Sequence, residues 1–187
     1  MASSKRAARP VTHHLGKPWC EALELPDGRR AILRPIQPVD AGLLQESFKQ
    51  LTPEEIRFRF FRPLKGLSDD FARRLAEIDR DEALALVVVE LKPPPEALIV
   101  AVARCSVLSE GDSAEFAIIV GKAWTRQGLA TLLLKRLIEW CRRKRLKRLY
   151  GDVLDDNIAM LALADSLGFQ RFHDPDDPEV VRVELPL

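Results

Sequence analysis

Glu115-Phe116-Ala117-Ile118-Ile119-Val120, then Gly121-Lys122-Ala123-Trp124-Thr125, then Arg126-Gln127-Gly128-Leu129-Ala130-Thr131, is the stretch that decides the fold. The apolar, β-branched run reads as a buried strand, and a short turn carries it into a helix whose first turn is small and polar. Leu129, Leu132, Leu133, Leu137, Trp140 and Cys141 recur at helical spacing, with Lys135, Arg136, Glu139, Arg142 and Arg143 elsewhere on the cylinder. Such a helix start presents free backbone N–H groups and the positive dipole end, which makes it an anion site. Gly128 lets a phosphate approach the backbone, Ala130 adds little bulk, and Arg126 supplies a direct charge. A single glycine there is equally compatible with an ordinary helix cap.

Working outward, two long β-like runs, Ala83 to Leu91 and Ala97 to Leu108, precede this stretch. Lys92-Pro93-Pro94-Pro95 between them cannot continue a ladder and reads as a turn. Further upstream, alternation in Ala22 to Leu25 and Arg30 to Arg34 around Pro26-Asp27-Gly28 predicts a hairpin. Between hairpin and sheet lie three short helices. Asp40 opens the first, Thr52-Pro53-Glu54-Glu55 the second and Ser68-Asp69-Asp70 the third. Downstream, Arg148 to Leu154 is a strand, Asp155 and Asp156 begin a helix through Leu167, and Phe169 to Phe172 and Val180 to Leu185 are final strands. The order β, helices, β-β-β, α, β, α, β-β predicts a mixed α/β (α+β) sheet with crossover helices.

At 187 residues and 47% hydrophobic, the chain suits one domain with a real core and excludes disorder throughout. Residues 1–20 read as a flexible tail and residues 21–187 as the domain. Lys+Arg 29 against Asp+Glu 28 leaves a net charge of +1, too little to recruit nucleic acid or anionic membrane. No apolar stretch approaches the ~20 residues of a bilayer span, and the N-terminus lacks the apolar segment of a secretory signal. Cys20, Cys105 and Cys141 form neither a disulfide scaffold nor a zinc ribbon, and a reducing cytoplasm fits them. His13-His14 has no third ligand at a recognisable spacing, so no metal site is assigned.

The pieces together resemble the GNAT N-acetyltransferase superfamily. Its acyl-CoA motif, Gln/Arg-x-x-Gly-x-Gly/Ala, is matched by Thr125-Arg126-Gln127-Gly128-Leu129-Ala130, with Thr125 departing at the first position. A second family element is Asn157-x-x-Met160, ending in Leu167-Gly168-Phe169. Arg34-Pro35-Ile36, Asp40, Leu51 to Glu55 and Arg57-Phe58-Arg59-Phe60-Phe61 are similar to the catalytic domain of Pat-type bacterial protein lysine acetyltransferases. The resemblance implies a mostly antiparallel central sheet with helices on both faces, and acetyl-CoA as cosubstrate without a metal. It implies a pantetheine arm paired with the strand edge at Ile118, Ile119 and Val120. The pyrophosphate would lie on backbone N–H groups of Arg126, Gln127, Gly128, Leu129, Ala130 and Thr131, with Asn157 contacting the cofactor. The implied partner is a substrate protein with an exposed lysine, such as an acyl-CoA synthetase, with a small amine as the alternative acceptor.

Chemistry adds a base. A lysine amine of pKa about 10.4 is neutral in only ~1 in 10³ molecules near pH 7.4, a cost of about 4 kcal/mol for direct attack. Glu115, at the head of an apolar strand where desolvation raises a carboxyl pKa, is the candidate, and it matches the acidic position Pat-type enzymes use. Glu110 and Asp112 in the preceding turn are weaker candidates. Many GNAT enzymes place a tyrosine acid where this chain has Ala164; the single tyrosine is Tyr150, and no acid is assigned.

The reading is therefore an acetyl-CoA-dependent N-acetyltransferase acting on protein lysines by direct attack in a ternary complex. Its alternatives are a small-amine acetyltransferase and a non-catalytic acetyl-CoA-binding sensor. The basic run Arg142 to Arg145 with Lys147 and Arg148 reads as a solvated face rather than a nucleic-acid site, and Cys105 and Cys141 read as core.

Overall fold

Pro26, Asp27 and Gly28 turn the chain between β1 (Glu21–Glu24) and β2 (Arg30–Pro35), with Gly28 at φ 85° where a side chain would be strained. In the computed structural model, residues 19–93, 96–109, 111–174 and 177–187 are described. Residues 1–18 of the stretch read as a tail, Pro94, Pro95 and the candidate Glu110 lie outside them.

After β2, a short 3₁₀ turn at Pro38–Asp40 leads into α1 (Ala41–Phe48), so the helix starts one residue later than Asp40. Asp40 is instead a buried clasp. Its carboxylate accepts the Gln37 N–H at 2.8 Å and both terminal guanidinium nitrogens of Arg34 at 2.7 Å. That ion pair holds Arg34 above the usual arginine value. α2 (Pro53–Phe60) begins with the reciprocal cap that Thr52 and Glu55 imply: Thr52 Oγ1 accepts the Glu55 N–H and Glu55 Oε2 accepts the Thr52 N–H. α3 (Asp69–Ala76) is capped by Ser68.

The sheet then builds by antiparallel neighbours, β3 (Ala83–Glu90), β4 (Ile99–Val107) and β5 (Ser113–Val120). α4 (Leu129–Arg143) crosses over to β6 (Arg148–Leu154), which runs parallel to β5. α5 (Ile158–Ser166) leads to β7 (Gln170–Asp174), and β8 (Asp177–Pro186) returns between β6 and β7. The resulting sheet has eight strands in the order β1-β2-β3-β4-β5-β6-β8-β7, antiparallel throughout except at β5–β6.

Helices cover both faces. Leu129, Leu133, Leu137 and Cys141 of α4 and Leu161 and Ala164 of α5 bury one face against Ala103, Cys105, Ala114 and Phe116. Leu44 of α1 and Ala76 of α3 close the other over Ile36, Ala85, Val87 and Ile99. Cys105 and Cys141 are fully buried core thiols, as their apolar positions indicate.

Two local expectations shift. α5 begins at Ile158 rather than at the aspartates, because Asn157 Oδ1 accepts the Met160 N–H at 3.2 Å and so caps it. The basic run is largely neutralised in place. Arg143 pairs with Glu139, Lys144 donates to the Asp81 carbonyl, and Lys147 and Arg148 reach Asp112 and Glu184 at 3.2 and 3.6 Å. Among the described residues no helix is long and apolar enough to cross a membrane.

Candidate active site

β5 and β6 form a fork. Their parallel pairing covers only Ser113↔Arg148, Ala114↔Leu149 and Glu115↔Tyr150, while β5 stays paired with β4 through Val120 and β6 with β8 through Leu154. From Phe116 to Val120, the β6-side edge of β5 therefore presents backbone groups with no strand opposite. A wedge occupies the crotch of the fork. A Cβ on Gly151 of β6 would lie 2.7 Å from the Phe116 ring, and that ring meets Phe169 edge-on at a centroid distance of 5.5 Å. Glycine at 151 thus leaves room for the aromatic that parts the strands, and Phe169 of the Gly168-Phe169 pair braces it.

At the open end of the fork, the loop after Val120 delivers α4. Gly128 is its N-cap at φ 78° and Arg126 sits at φ 60°, two left-handed residues that turn the loop sharply into the helix. The first intrahelical bond is the Leu132 N–H to the Gly128 carbonyl, so the N–H groups of Leu129, Ala130 and Thr131 have no helical acceptor. Thr125, which departs from the family motif, closes the loop internally: its hydroxyl donates to the Lys122 carbonyl at 2.9 Å. The β1–β2 hairpin supports the loop from outside. Arg29 lies over the Trp124 ring at 3.9 Å and donates to the Ala123 carbonyl at 2.8 Å. The Asp27 N–H donates to Gln127 Oε1 at 3.3 Å, which draws the Gln127 side chain toward the hairpin.

A cleft of about 490 Å³ joins these parts, lined by Ile118, Ile119, Val120, Thr125, Arg126 and Gly128 through Thr131, and by Asn157. α2 bridges it. Glu55 accepts the Lys122 N–H on the β5 side and Arg57 pairs with Asp156 on the β6 side. A free strand edge leading to uncapped N–H groups at a glycine-started helix fits an extended amide arm ending in a pyrophosphate.

A second cleft, of about 800 Å³, lies on the other side of the fork's crotch. Phe58, Arg59, Ile118, Asn157 and Met160 line both clefts and mark their junction. Glu115 lines only the second. Its side chain is exposed, so the desolvation anticipated from its apolar strand is not what this position provides; it sits at the strand's outer face, beside the open cleft. Asp152 and Asp177 are the other carboxylates lining that cleft; Asp152 is occupied by Arg182 through paired bonds of 2.8 and 3.0 Å, which hold Arg182 above its ordinary value. Among the described residues Glu115 has no hydrogen bond or ion pair and keeps its carboxylate available. Tyr150, opposite Glu115, lies under the Arg182 guanidinium at 4.6 Å. Burial, and then the Glu115 charge, push its phenol up. Ala164 is fully buried, so that position of α5 bears no acid.

Residues 49–169 match the acetyltransferase (GNAT) family model. The chain belongs to the GNAT acetyltransferase family. It is 29% identical over 172 residues to a protein of Pseudomonas aeruginosa named an acetyltransferase, covering 92% of this chain and 91% of that one. Among solved structures, it is similar to the GNAT domain of S. lividans PAT, with a TM-score of 0.78, 26% identity, and coverage of 90% of this chain and 97% of that one. It also shares its fold with a GNAT-family acetyltransferase of Streptococcus pneumoniae, at a TM-score of 0.64 and 19% identity, covering 84% and 99%.

This GNAT domain brings together nearly every residue the sequence singled out. Ile118, Ile119, Val120, Arg126, Gly128, Leu129, Ala130, Thr131 and Asn157 line one cleft, and Glu115 lines the adjoining one. Gln127 does not line the cleft; its side chain turns outward to accept the Asp27 N–H of the hairpin. Asn157 uses Oδ1 as the α5 cap, which leaves its Nδ2 as the donor for the cleft. Arg57 is ion-paired with Asp156, whereas Arg59 lines both clefts. Sequence reading did not single out Arg104, Asp152, His173 or Arg182. A lone arginine inside the apolar strand Ile99–Val107 was the available signal for Arg104.

Proposed function

We propose that this GNAT enzyme transfers acetyl from acetyl-CoA to the side-chain amine of protein lysines by direct attack in a ternary complex. The observation that carries the reading is the junction of the two clefts. The cofactor-shaped groove and the open cleft holding Glu115 meet at Ile118 and Asn157, so donor and amine can approach each other there. Backbone N–H groups on the free edge of β5 hold the pantetheine arm and stabilise negative charge on the attacked carbonyl oxygen. The N–H groups at the start of α4 hold the pyrophosphate. Glu115, reached directly or through one water, accepts the proton of the incoming ammonium. Water in the open cleft protonates the departing thiolate, Ala164 having no proton to give.

A protein acceptor is supported by the width of the cleft and by its rim, where Phe61 and Phe172 are 44% and 47% exposed. The likeness to the GNAT domain of S. lividans PAT supports it further. The test is a steady-state kinetic grid with acetyl-CoA and a lysine peptide. Intersecting double-reciprocal lines are expected for a ternary complex. Parallel lines would mean an acyl-enzyme intermediate and would overturn direct attack.

A further inference from the structure

Arg104 is a cation on an apolar strand with nothing to neutralise it. Among the described residues its guanidinium makes no hydrogen bond, ion pair or ring contact, and burial pushes it below the usual arginine value. Arg59 meets it from α2. Its guanidinium lies 4.9 Å from the centroid of the Phe60 ring, and it too has no hydrogen bond or ion pair among the described residues. Burial, then the charge of Arg104, bring Arg59 down to about 10, with Glu115 opposing. Both remain cationic at neutral pH.

Both side chains are half-buried; two like charges held near each other repel, and cations partly withdrawn from water are ordinarily paired. Both arginines line a pocket of about 70 Å³ whose other walls are mostly apolar, Leu44, Phe48, Phe60 and Ile119 among them. That is room for roughly two waters, enough for a carboxylate on a short stem and too little for a nucleotide. Arg59 lines this pocket and both clefts, so the pocket adjoins their junction.

We propose that Arg59 and Arg104 form a carboxylate subsite, and that the acceptor carries a carboxylate close to its reactive amine. This rests on the acyl-transfer reading above. An acetyl group has no charge to offer the pair, and the phosphates of its carrier belong at Gly128, so the anion comes with the acceptor. Glu115 on one side and two guanidinium groups on the other match an ammonium and a carboxylate on one molecule. The carboxylate is either an Asp or Glu side chain beside the target lysine or the carboxylate of a free amino acid.

The direct test is calorimetric titration of glutarate into the full chain saturated with CoA, which occupies the pyrophosphate loop. Wild type is expected to bind, Arg104→Gln on the order of tenfold more weakly or worse, and Arg104→Lys in between. Equal affinities would overturn the subsite. Kinetics separate the sources: lysine against cadaverine, and a lysine peptide with a neighbouring Glu against the same peptide with Gln. At least one pair is expected to show a preference for the carboxylate of about tenfold, carried in KM and collapsing toward one in Arg104→Gln. No preference in either pair overturns the proposal, as does a preference for succinyl-CoA over acetyl-CoA that depends on Arg104 while acceptors are not discriminated. Glutarate binding through Arg104 without acetylation of any amine would leave the subsite standing and remove the lysine reading.

Discussion

Glu115 and Tyr150 stand opposite each other at the last paired register between β5 and β6, and one residue further on the strands have parted. The proposed base is thus fixed by a sheet that is still complete on its N-terminal side, while the residues following it line the junction of the two clefts. A strand supplies both the rigid mount for the carboxylate and, three residues later at Ile118, the free edge for the donor.

The fork depends on Phe116 having no side chain opposite it at 151. Gly151→Ala puts a methyl 2.7 Å from a ring that is only 4% exposed, an overpacking worth about 1–3 kcal/mol. Urea unfolding is expected to show that loss, and Phe116→Leu in the same chain to recover part of it. Additive losses would mean the two positions do not meet.

Gly128 separates stability from binding. Nothing lies within 4 Å of where a Cβ would stand, so Gly128→Ala costs only the left-handed backbone at φ 78°, about 1 kcal/mol or 2–4 °C in Tm. Its methyl would nevertheless stand where the proposed mechanism brings the pyrophosphate. Affinity for CoA is expected to fall on the order of tenfold by calorimetry. Unchanged affinity would remove the pyrophosphate from this loop.

Arg29 supports that loop from outside through Trp124 and the Ala123 carbonyl. Its loss removes an interaction of about 0.5–1 kcal/mol. Arg29→Ala is expected to raise KM for acetyl-CoA about threefold with little change in kcat at saturation. A fall in kcat alone would contradict a supporting role.

These residues also show what the sequence made legible. Strand order, the Thr52 cap, the crossover α4 and the glycine that starts it are local features, written in periodicity and in residues with narrow backbone preferences, and they read directly. The asparagine at 157 was legible as a motif but not as a cap, because the aspartates before it compete for the same role on paper. Glu115 was readable as a candidate, but its exposure was not: whether a strand's outer face is covered depends on helices far away in sequence. The same holds for Arg59 and Arg104, which come from separate elements and acquire meaning only as a pair.

Asp40 lies away from both clefts and tests the scaffold alone. Its removal would leave Arg34, at 19% side-chain exposure, without its partner, and breaking such a pair costs about 3–5 kcal/mol. Asp40→Ala is expected to lower Tm by roughly 10 °C while kcat at a permissive temperature stays near wild type. An unchanged Tm would show that the clasp contributes little.

In the proposed mechanism Glu115 accepts the proton of a lysine attacking acetyl-CoA at the fork. The most direct measurement is acetyl-lysine mapping by mass spectrometry after the enzyme is incubated with acetyl-CoA and a chemically deacetylated bacterial lysate, with Glu115→Gln alongside. A small set of lysines is expected to be strongly modified by wild type and modified on the order of a hundredfold more slowly by the variant. Equal labelling by both proteins, or no labelling above the enzyme-free background, would contradict it.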